Sequence, residues 1–391
     1  MTHISIFDTS LRDGSQAPGC GLYREEKIRL AERLSDIGTD VIEAGFPISS
    51  NVEFESVSEI AKLFKNKGPV ITAFSRVNKM DINRSWESVK YAKHKRIHLG
   101  VGTSNIHIKN KLKTTKSELI EKITDCIKFA SQFDWEIQFY AEDSTRSDYS
   151  FLDCLLPIVV DSGASIINLP DTTGCASPEE YFKLISHVNK ILSSKNITIS
   201  AHCHNDLGLG CANALSAIKA GATQIECTLN GIGERCGNTS FEEIILNLNE
   251  NNEFKNRFTH SIDSKKLYGA CILASKLMNL DIPPNKALTG RNSFATEAGT
   301  HADGILKNSN TYLFFDPSNY GREQEIVLGA RSGKATLKWK LDELGFVLEN
   351  YEDFENFYNE FIKMADLNLK KRGIEDQNFE NFALSYGFKK R

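Results

Sequence analysis

HISIFDTSLRDGSQ, residues 3–16, is a β-rich run that passes directly into a polar loop. An open, doubly wound nucleotide-binding sheet carries Gly-x-Gly-x-x-Gly after its first strand. Here DTSLRDGSQ, residues 8–16, stands in that place. Further strand-like runs follow at residues 40–46, 70–74, 96–101, 135–142, 165–169, 197–204 and 224–230. Amphipathic stretches lie between them, such as residues 25–37, 52–65 and 117–130. Their apolar residues recur at steps of three and four, as in Ile28, Ala31 and Leu34 or in Leu119, Ile123, Cys126 and Ile127. Ser177-Pro178-Glu179-Glu180 has a capping serine, a proline in the first helical position and a glutamate three residues on. Thr239-Ser240-Phe241-Glu242 repeats that spacing. Eight strand–helix units in ~250 residues predict a (β/α)8 TIM barrel. We place it at residues 1–260, followed by a small, mainly helical accessory region over 261–391. In that region residues 263–280, 302–307, 333–344 and 354–366 read as helices, and the charged end is expected to fray.

The 391 residues are 40% hydrophobic and 25% charged, which is globular composition. A net charge of −4 with interspersed signs gives no footprint for nucleic acid. No apolar run approaches the ~20 residues of a membrane helix, and the N-terminus lacks a signal-peptide pattern, so a cytoplasmic protein is expected. The nine cysteines include no CxxC pair. Several, Cys126, Cys154, Cys227 and Cys271 among them, sit in apolar segments and are expected to be buried free thiols. Cys203, between two histidines, should face the outer packing layer.

In such a barrel the chemistry collects where strands end. The strand ends here carry Asp8, Arg12, Asp13 and Gln16, then Glu43, His98, Glu142-Asp143, Asn168, Asp171 and Thr172. The seventh ends in His202, His204, Asn205 and Asp206, and the eighth in NGIGERCGN, residues 230–238. Residues two apart on a strand share a face, so His202 and His204 converge. Alone, the pair also fits two hydrogen-bonded polar histidines. The Asp13 carboxylate and the Asn238 amide oxygen could join them across the barrel. Two nitrogens and two hard oxygens, with room for two substrate oxygens, suit Mg²⁺, Mn²⁺, Co²⁺ or Zn²⁺. The loop with Gly231, Gly233, Glu234 and Arg235 has two readings. Its amides could approach the phosphates or thioester of a CoA, or its glycines could simply allow the tight path that aims Asn238 at the metal. Arg12 is placed to stabilise a developing alkoxide, to pair with Glu43, or both. Glu142 is a candidate acid/base or an orienting carboxylate.

LRDGSQ at residues 11–16, HCHND at 202–206 and NGIGERCGN at 230–238 resemble three signatures of the acyl-CoA-condensing metallolyase barrels. That family contains 2-isopropylmalate, homocitrate and citramalate synthases and, more distantly, hydroxymethylglutaryl-CoA lyase. The likeness continues through LPDTTG at 169–174, THADGILKN at 300–308 and GREQEIVLGARSGK at 321–334. It implies metal ligands at Asp13, His202, His204 and Asn238, and acetyl-CoA as co-substrate. Arg12 would steady the oxyanion, and His98 and Thr172 would hold the keto-acid carboxylate or nearby waters. Glu142 would work with His301 of the accessory region to remove a methyl proton from acetyl-CoA, with Tyr312 beside them. Thr296 and Thr300 depart from the pattern usual around His301 and bear on the geometry of that accessory site.

Within the family the keto acid divides the members. Homocitrate synthases resemble one another in an arginine four residues before the catalytic glutamate, where this chain has Gln138. A second buried carboxylate without a cation is costly, which argues against 2-oxoglutarate. RIHLGVGTSNIHIKNKLKTT, residues 96–115, resembles the isopropylmalate synthases, whose keto acid is 2-oxoisovalerate. Tyr140 could narrow the pocket towards pyruvate, which keeps a citramalate synthase as the alternative. A barrel that had lost catalysis and served as a binding protein would show gaps in the metal set, and none is seen. The resemblance further implies a homodimer with exchanged accessory regions. Because only about 25 residues, rich in charge, follow 354–366, below the ~40 at which a domain generally folds alone, no regulatory domain and no leucine inhibition are expected.

Overall fold

Ser5–Asp8 registers on one side with the second barrel strand, Phe7 opposite Val41, and on the other with the last, Ser5 opposite Gln224. That double pairing closes the sheet into a parallel eight-stranded barrel, shown in a computed structural model that describes residues 1–347 and 351–391, with backbone alone at Tyr351 and Glu352. The strands are β1 Ser5–Asp8, β2 Val41–Gly45, β3 Val70–Arg76, β4 Lys95–Gly102, β5 Glu136–Glu142, β6 Ile166–Asp171, β7 Thr198–Cys203 and β8 Gln224–Cys227. The surrounding helices are α1 Arg24–Asp36, α2 Asn51–Leu63, α3 Lys79–Val89, α4 Lys116–Ala130, α5 Tyr149–Asp161, α6 Pro178–Ile191, α7 Gly210–Lys219 and α8 Phe241–Glu250.

The period-two pattern of the strands marks the outer face of the barrel. Ile6, Ile42, Ile71, Ile97, Leu99, Phe139, Ile167, Leu169, Ala201 and Ile225 are all fully buried. They alternate with inward-facing residues and meet the helix stripes, each large side chain contributing about 1.5–3 kcal/mol. Cys203 lies in this outer layer and is buried, as expected. Cys154 is exposed, contrary to the reading of its apolar segment, because it falls on the solvent side of α5. The inward residues are polar where most such barrels are filled with branched apolar groups. In the lowest layer Arg96 Nη1 donates to Gln138 Oε1 at 3.0 Å and Gln224 Oε1 at 2.7 Å. Gln224 Nε2 in turn reaches Ser200 Oγ at 2.8 Å.

The capping box at Ser177 forms, with Ser177 Oγ accepting from the Glu180 amide. The second proposed box does not operate that way. Glu242 Oε2 accepts from the Asn230 amide at 2.9 Å, and Thr239 Oγ1 donates to the Cys203 and Gly210 carbonyls. The glutamate is therefore used to pin the glycine loop.

Helix α9, Ser264–Leu277, packs on α1, and Asn230 Nδ2 donates to the Cys271 carbonyl at 2.8 Å. The barrel unit accordingly runs Met1–Ile282, beyond residue 260, and the second unit is Pro283–Arg391. That second unit contains α10 Gly299–Lys307, α11 Lys334–Glu343, α12 Tyr351–Asp366 and α13 Asp376–Ser385. The charged end does not fray: Phe379 and Ala383 of α13 are fully buried against Phe357 and Phe361, and Phe346–Val347 pairs with Lys389–Lys390. Among the described residues no helix is long and apolar enough to cross a membrane.

Candidate metal centre and barrel mouth

Alternation along β7 turns His202 and the following His204 to the same face, with ring centroids 5.0 Å apart. Their Nε2 atoms lie 3.7 and 3.8 Å from Asp13 Oδ2. Asp13 is fixed by the turn after β1, where its amide donates to the Thr9 carbonyl at 2.8 Å. A backbone bridge sets Asn238 antiparallel to His204. Asn238 Nδ2 donates to Asp13 Oδ2 at 2.9 Å and to the Ile232 carbonyl at 3.1 Å, while its Oδ1 is buried with no hydrogen-bond partner.

That orphaned oxygen tests whether the residues suit a metal. The amide nitrogen faces Asp13 here, and exchanging the two ends of that amide would turn a hard oxygen donor towards the carboxylate. One atom from each of Asp13, His202 and His204 lies within 4.8 Å of the others. The other ring nitrogens are engaged: His202 Nδ1 is 3.1 Å from Glu226 Oε2, and His204 Nδ1 is 3.2 Å from the Gly237 carbonyl. With a hydrogen held on Nδ1, each ring offers the Nε2 lone pair. The residues fit a divalent ion.

Electrostatics prepare the same state at Asp13 and His204, while Glu226 favours the proton on His202. Burial pushes the Asp13 carboxyl up, but Arg12 and then the two histidines outweigh it and bring it down to about 2. His204 is lowered to about 4, first by burial and then by His202, so its ring is neutral at pH 7. Burial also lowers His202, yet its Glu226 hydrogen bond and charge carry it above the usual value. Below the centre, Glu43 is pushed up by burial and brought to about 2 by Arg12 and His98. Arg12 Nε meets Glu43 Oε2 at 2.6 Å, its Nη1 is 3.1 Å from Asp13 Oδ1, and its guanidinium lies 4.6 Å from the Phe74 ring centroid. The Arg12–Glu43 pair expected as one of two readings thus exists.

A cavity of about 540 Å³ opens above this floor. Its lining includes Arg12, Asp13, His98, Tyr140, Glu142, Thr172, His202, His204, Glu234 and Arg235, which the sequence had singled out. His98 is held on both sides, Nδ1 at 2.7 Å from Glu43 Oε1 and Nε2 at 3.2 Å from Asn168 Nδ2. Thr172 Oγ1 accepts from the Asp143 amide at 2.9 Å. Tyr140 stacks on Phe74 with centroids 4.9 Å apart and donates to the Ser75 carbonyl. Glu142 has both oxygens on Lys111 Nζ, at 2.7 and 2.9 Å. Arg235 is tied to Asp206 at 2.8 Å and to the Thr172 carbonyl.

Other candidates fall elsewhere. Gln138 belongs to the Arg96 layer and donates to Glu226 Oε1 at 2.5 Å, beneath the cavity and outside its lining. Gly231 and Gly233 also lie outside the lining. A Cβ at Gly233 would strike the Asn238 amide, and one at Gly237 the Gly231 carbonyl, so these glycines serve the tight path. His301 and Tyr312 belong to the second unit, where their rings lie 4.2 Å apart. Residues the sequence reading missed are Glu226, Lys111 and Arg76. Glu226 sits two residues after inward-facing Gln224 and opposite His202, so strand alternation could have found it. Arg76 reaches Asp81 at 2.6 Å and lines the cavity.

The HMGL-like family model matches residues 3–271, and the model described as homocitrate synthase post-HMGL domain-like matches residues 288–369. The 2-isopropylmalate synthase of Dictyoglomus turgidum is 44% identical over 97% of this chain and 74% of its own length. That of Pyrococcus furiosus is 44% identical over 96% of this chain and 74% of its own. Among solved structures, hydroxymethylglutaryl-CoA lyase from Pseudomonas aeruginosa superposes with a TM-score of 0.60 at 18% identity, covering 72% of this chain and 95% of that one. At that identity the likeness speaks for the barrel fold alone.

Proposed function

The chain belongs to the HMGL-like family, among its 2-isopropylmalate synthases, and from that premise we propose that it joins the acetyl group of acetyl-CoA to 2-oxoisovalerate, releasing 2-isopropylmalate and CoA. It is an acyltransferase of amino-acid biosynthesis, and a cytoplasmic location goes with that role. The observation that carries the reading is the convergence of Asp13, His202 and His204 in the barrel mouth, with the Asn238 amide set against Asp13. Asp13, His202, His204 and Asn238 would hold a divalent ion, Mg²⁺, Mn²⁺ or Zn²⁺, which would supply Lewis acidity for the keto acid.

The chain's own residues do the rest. Glu142 takes a proton from the acetyl methyl group, and the carbon pair so released attacks the keto carbon. Arg12, held by Glu43 and Phe74, presents its guanidinium to the oxygen that becomes an alkoxide. Water then divides the thioester. The likeness to the family supports His301 and Tyr312 as the second unit's contribution, in a homodimer where each protomer's His301 serves its partner. Glu234 and Arg235 at the mouth are the residues offered to the CoA.

The wall beside the anchor favours a branched aliphatic side chain. Phe46 meets Phe74 edge-on at 5.2 Å, Phe74 stacks on Tyr140, and Val77 and Leu112 complete the surface. Arg76, whose guanidinium lies 5.6 Å from the Phe46 ring centroid, is engaged by Asp81, and Arg12, 4.6 Å from the Phe74 centroid, is engaged by Glu43. With acetyl-CoA and a panel of 2-oxoisovalerate, 2-oxobutanoate, pyruvate and 2-oxoglutarate, 2-oxoisovalerate should show the highest kcat/KM. One methylene in such a pocket is worth ~10–200-fold, so the smaller acids should react weakly. A preference for pyruvate would make the chain a citramalate synthase, and one for 2-oxoglutarate a homocitrate synthase.

A further inference from the structure

Gly102 ends β4, and a Cβ there would run into the ring of His107. The glycine makes room for an imidazole between two carboxylates. His107 Nδ1 lies 3.7 Å from Glu142 Oε2, and its Nε2 lies 3.8 Å from Asp143 Oδ2. Neither separation is a direct hydrogen bond. His107 Nδ1 and Asp143 Oδ2 are both buried with no hydrogen-bond partner. Buried polar atoms are nearly always paired, so two orphans placed about one ring need an explanation.

The surroundings hold each group in place. Lys111 Nζ sits on both Glu142 oxygens, Arg146 Nε donates to Asp143 Oδ1 at 2.8 Å, and the Asp143 amide donates to Thr172 Oγ1. The Ser104 hydroxyl accepts from the His107 amide at 3.3 Å. Asp143 adopts a left-handed backbone at φ 66, a conformation uncommon for residues other than glycine. His107 opens a π-helical turn, His107–Leu112, and such turns occur frequently at functional sites. The strand end and the turn are thus both bent to bring an imidazole against Glu142.

We propose that His107 is the proton outlet of Glu142, acting through that carboxylate with Asp143 behind it. The inference rests on Glu142 being the base of the condensation. Glu142 takes the methyl proton while the C–H electron pair stays on carbon. The new O–H proton passes to His107 Nδ1 as the 3.7 Å gap closes to hydrogen-bond length or across one water, and the imidazolium is held against the Asp143 carboxylate. The ring then gives a proton to water and returns to neutral. Over one turnover a single proton moves from carbon to solvent, and Glu142 is a carboxylate again. His107 is a positioning and relay residue that does not touch substrate.

The test is steady-state kinetics of CoA release from acetyl-CoA and 2-oxoisovalerate by the full-length protein. His107→Ala should lower kcat by ~100-fold, the scale of general acid–base contributions, with both KM values nearly unchanged. Added imidazole should restore kcat in a saturable way. His107→Gln keeps the size and a hydrogen-bond donor but cannot relay a proton, so it should stay slow. Wild-type kcat in His107→Gln, or no response of His107→Ala to imidazole, would overturn the relay. If His107→Ala does not fold, His107→Gln and Asp143→Asn carry the test, and wild-type kcat in both refutes it. Glu142→Gln separates the premise from the inference. Activity retained there removes the base and the relay together, whereas loss there with an unaffected His107→Ala removes the relay alone.

Discussion

Asp8 shows how a buried residue at the rim of the barrel shapes stability. It is fully buried, and burial raises its carboxyl to about 7 even though the Ser10 amide and hydroxyl both donate to it. Ser10 Oγ also accepts from the Leu229 amide, which ties the end of β1 to the loop after β8. Between the unfolded value near 3.8 and about 7 the folded chain binds the extra proton. Stability therefore falls as pH rises through that window and levels off above it. Asp8→Asn mimics the protonated acid. It should match the native protein near pH 4 and exceed it at pH 8, by up to on the order of 4 kcal/mol. Urea unfolding at the two pH values checks this, and equal midpoints for the two proteins at pH 8 would contradict it. Glu43 works in the opposite sense. It is held near 2 by Arg12 and His98 despite its burial, so its contribution is present above pH 4.5 and is lost only in strong acid. Glu43→Gln leaves Arg12 with one carboxylate fewer and should cost about 3 kcal/mol, the scale for breaking a buried pair.

At the scale of elements, the loop after β8 decides whether the metal site exists. Asn230, Gly231, Arg235 and Gly237 all have positive φ, and a side chain on Gly237 would collide with the Gly231 carbonyl. Gly237→Ala should fold as a barrel yet bind Mn²⁺ at least ~10-fold more weakly, because Asn238 and the carbonyl that fixes His204 both move with the loop. Calorimetric titration with Mn²⁺ reads this directly, and unchanged affinity would show that the loop does not set the site. The strands and helices of the barrel were legible in the sequence because their period-two and period-3.6 patterns each report one buried face. Asp13, His202, His204 and Asn238 were legible because strand ends converge in a barrel. Gln138 was expected beside the keto acid from the resemblance to homocitrate synthases, whereas this barrel has a polar layer beneath the mouth, built on Arg96, that takes it up. Lys111 escaped notice because it lies on a wide turn with no periodic signal. Helix α13 was hidden by the charges around Phe379 and Ala383, which pack only in the presence of Phe357 and Phe361.

At the scale of the whole molecule, the proposed homodimer predicts complementation. Glu142→Ala and His301→Ala should each be inactive alone, and mixed dimers of the two should regain part of the native rate, since one site in each pair retains both groups. Mixed dimers verified by mass and still inactive would place all the catalytic groups in one chain. The central claim is a condensation anchored on a divalent ion at Asp13, His202, His204 and Asn238, and metal dependence tests it most directly. CoA release from acetyl-CoA and 2-oxoisovalerate should vanish when the protein is stripped with a chelator. It should return with Mg²⁺ or Mn²⁺, and it should not return in a folded His204→Ala protein. Full turnover by the metal-free protein would contradict the account.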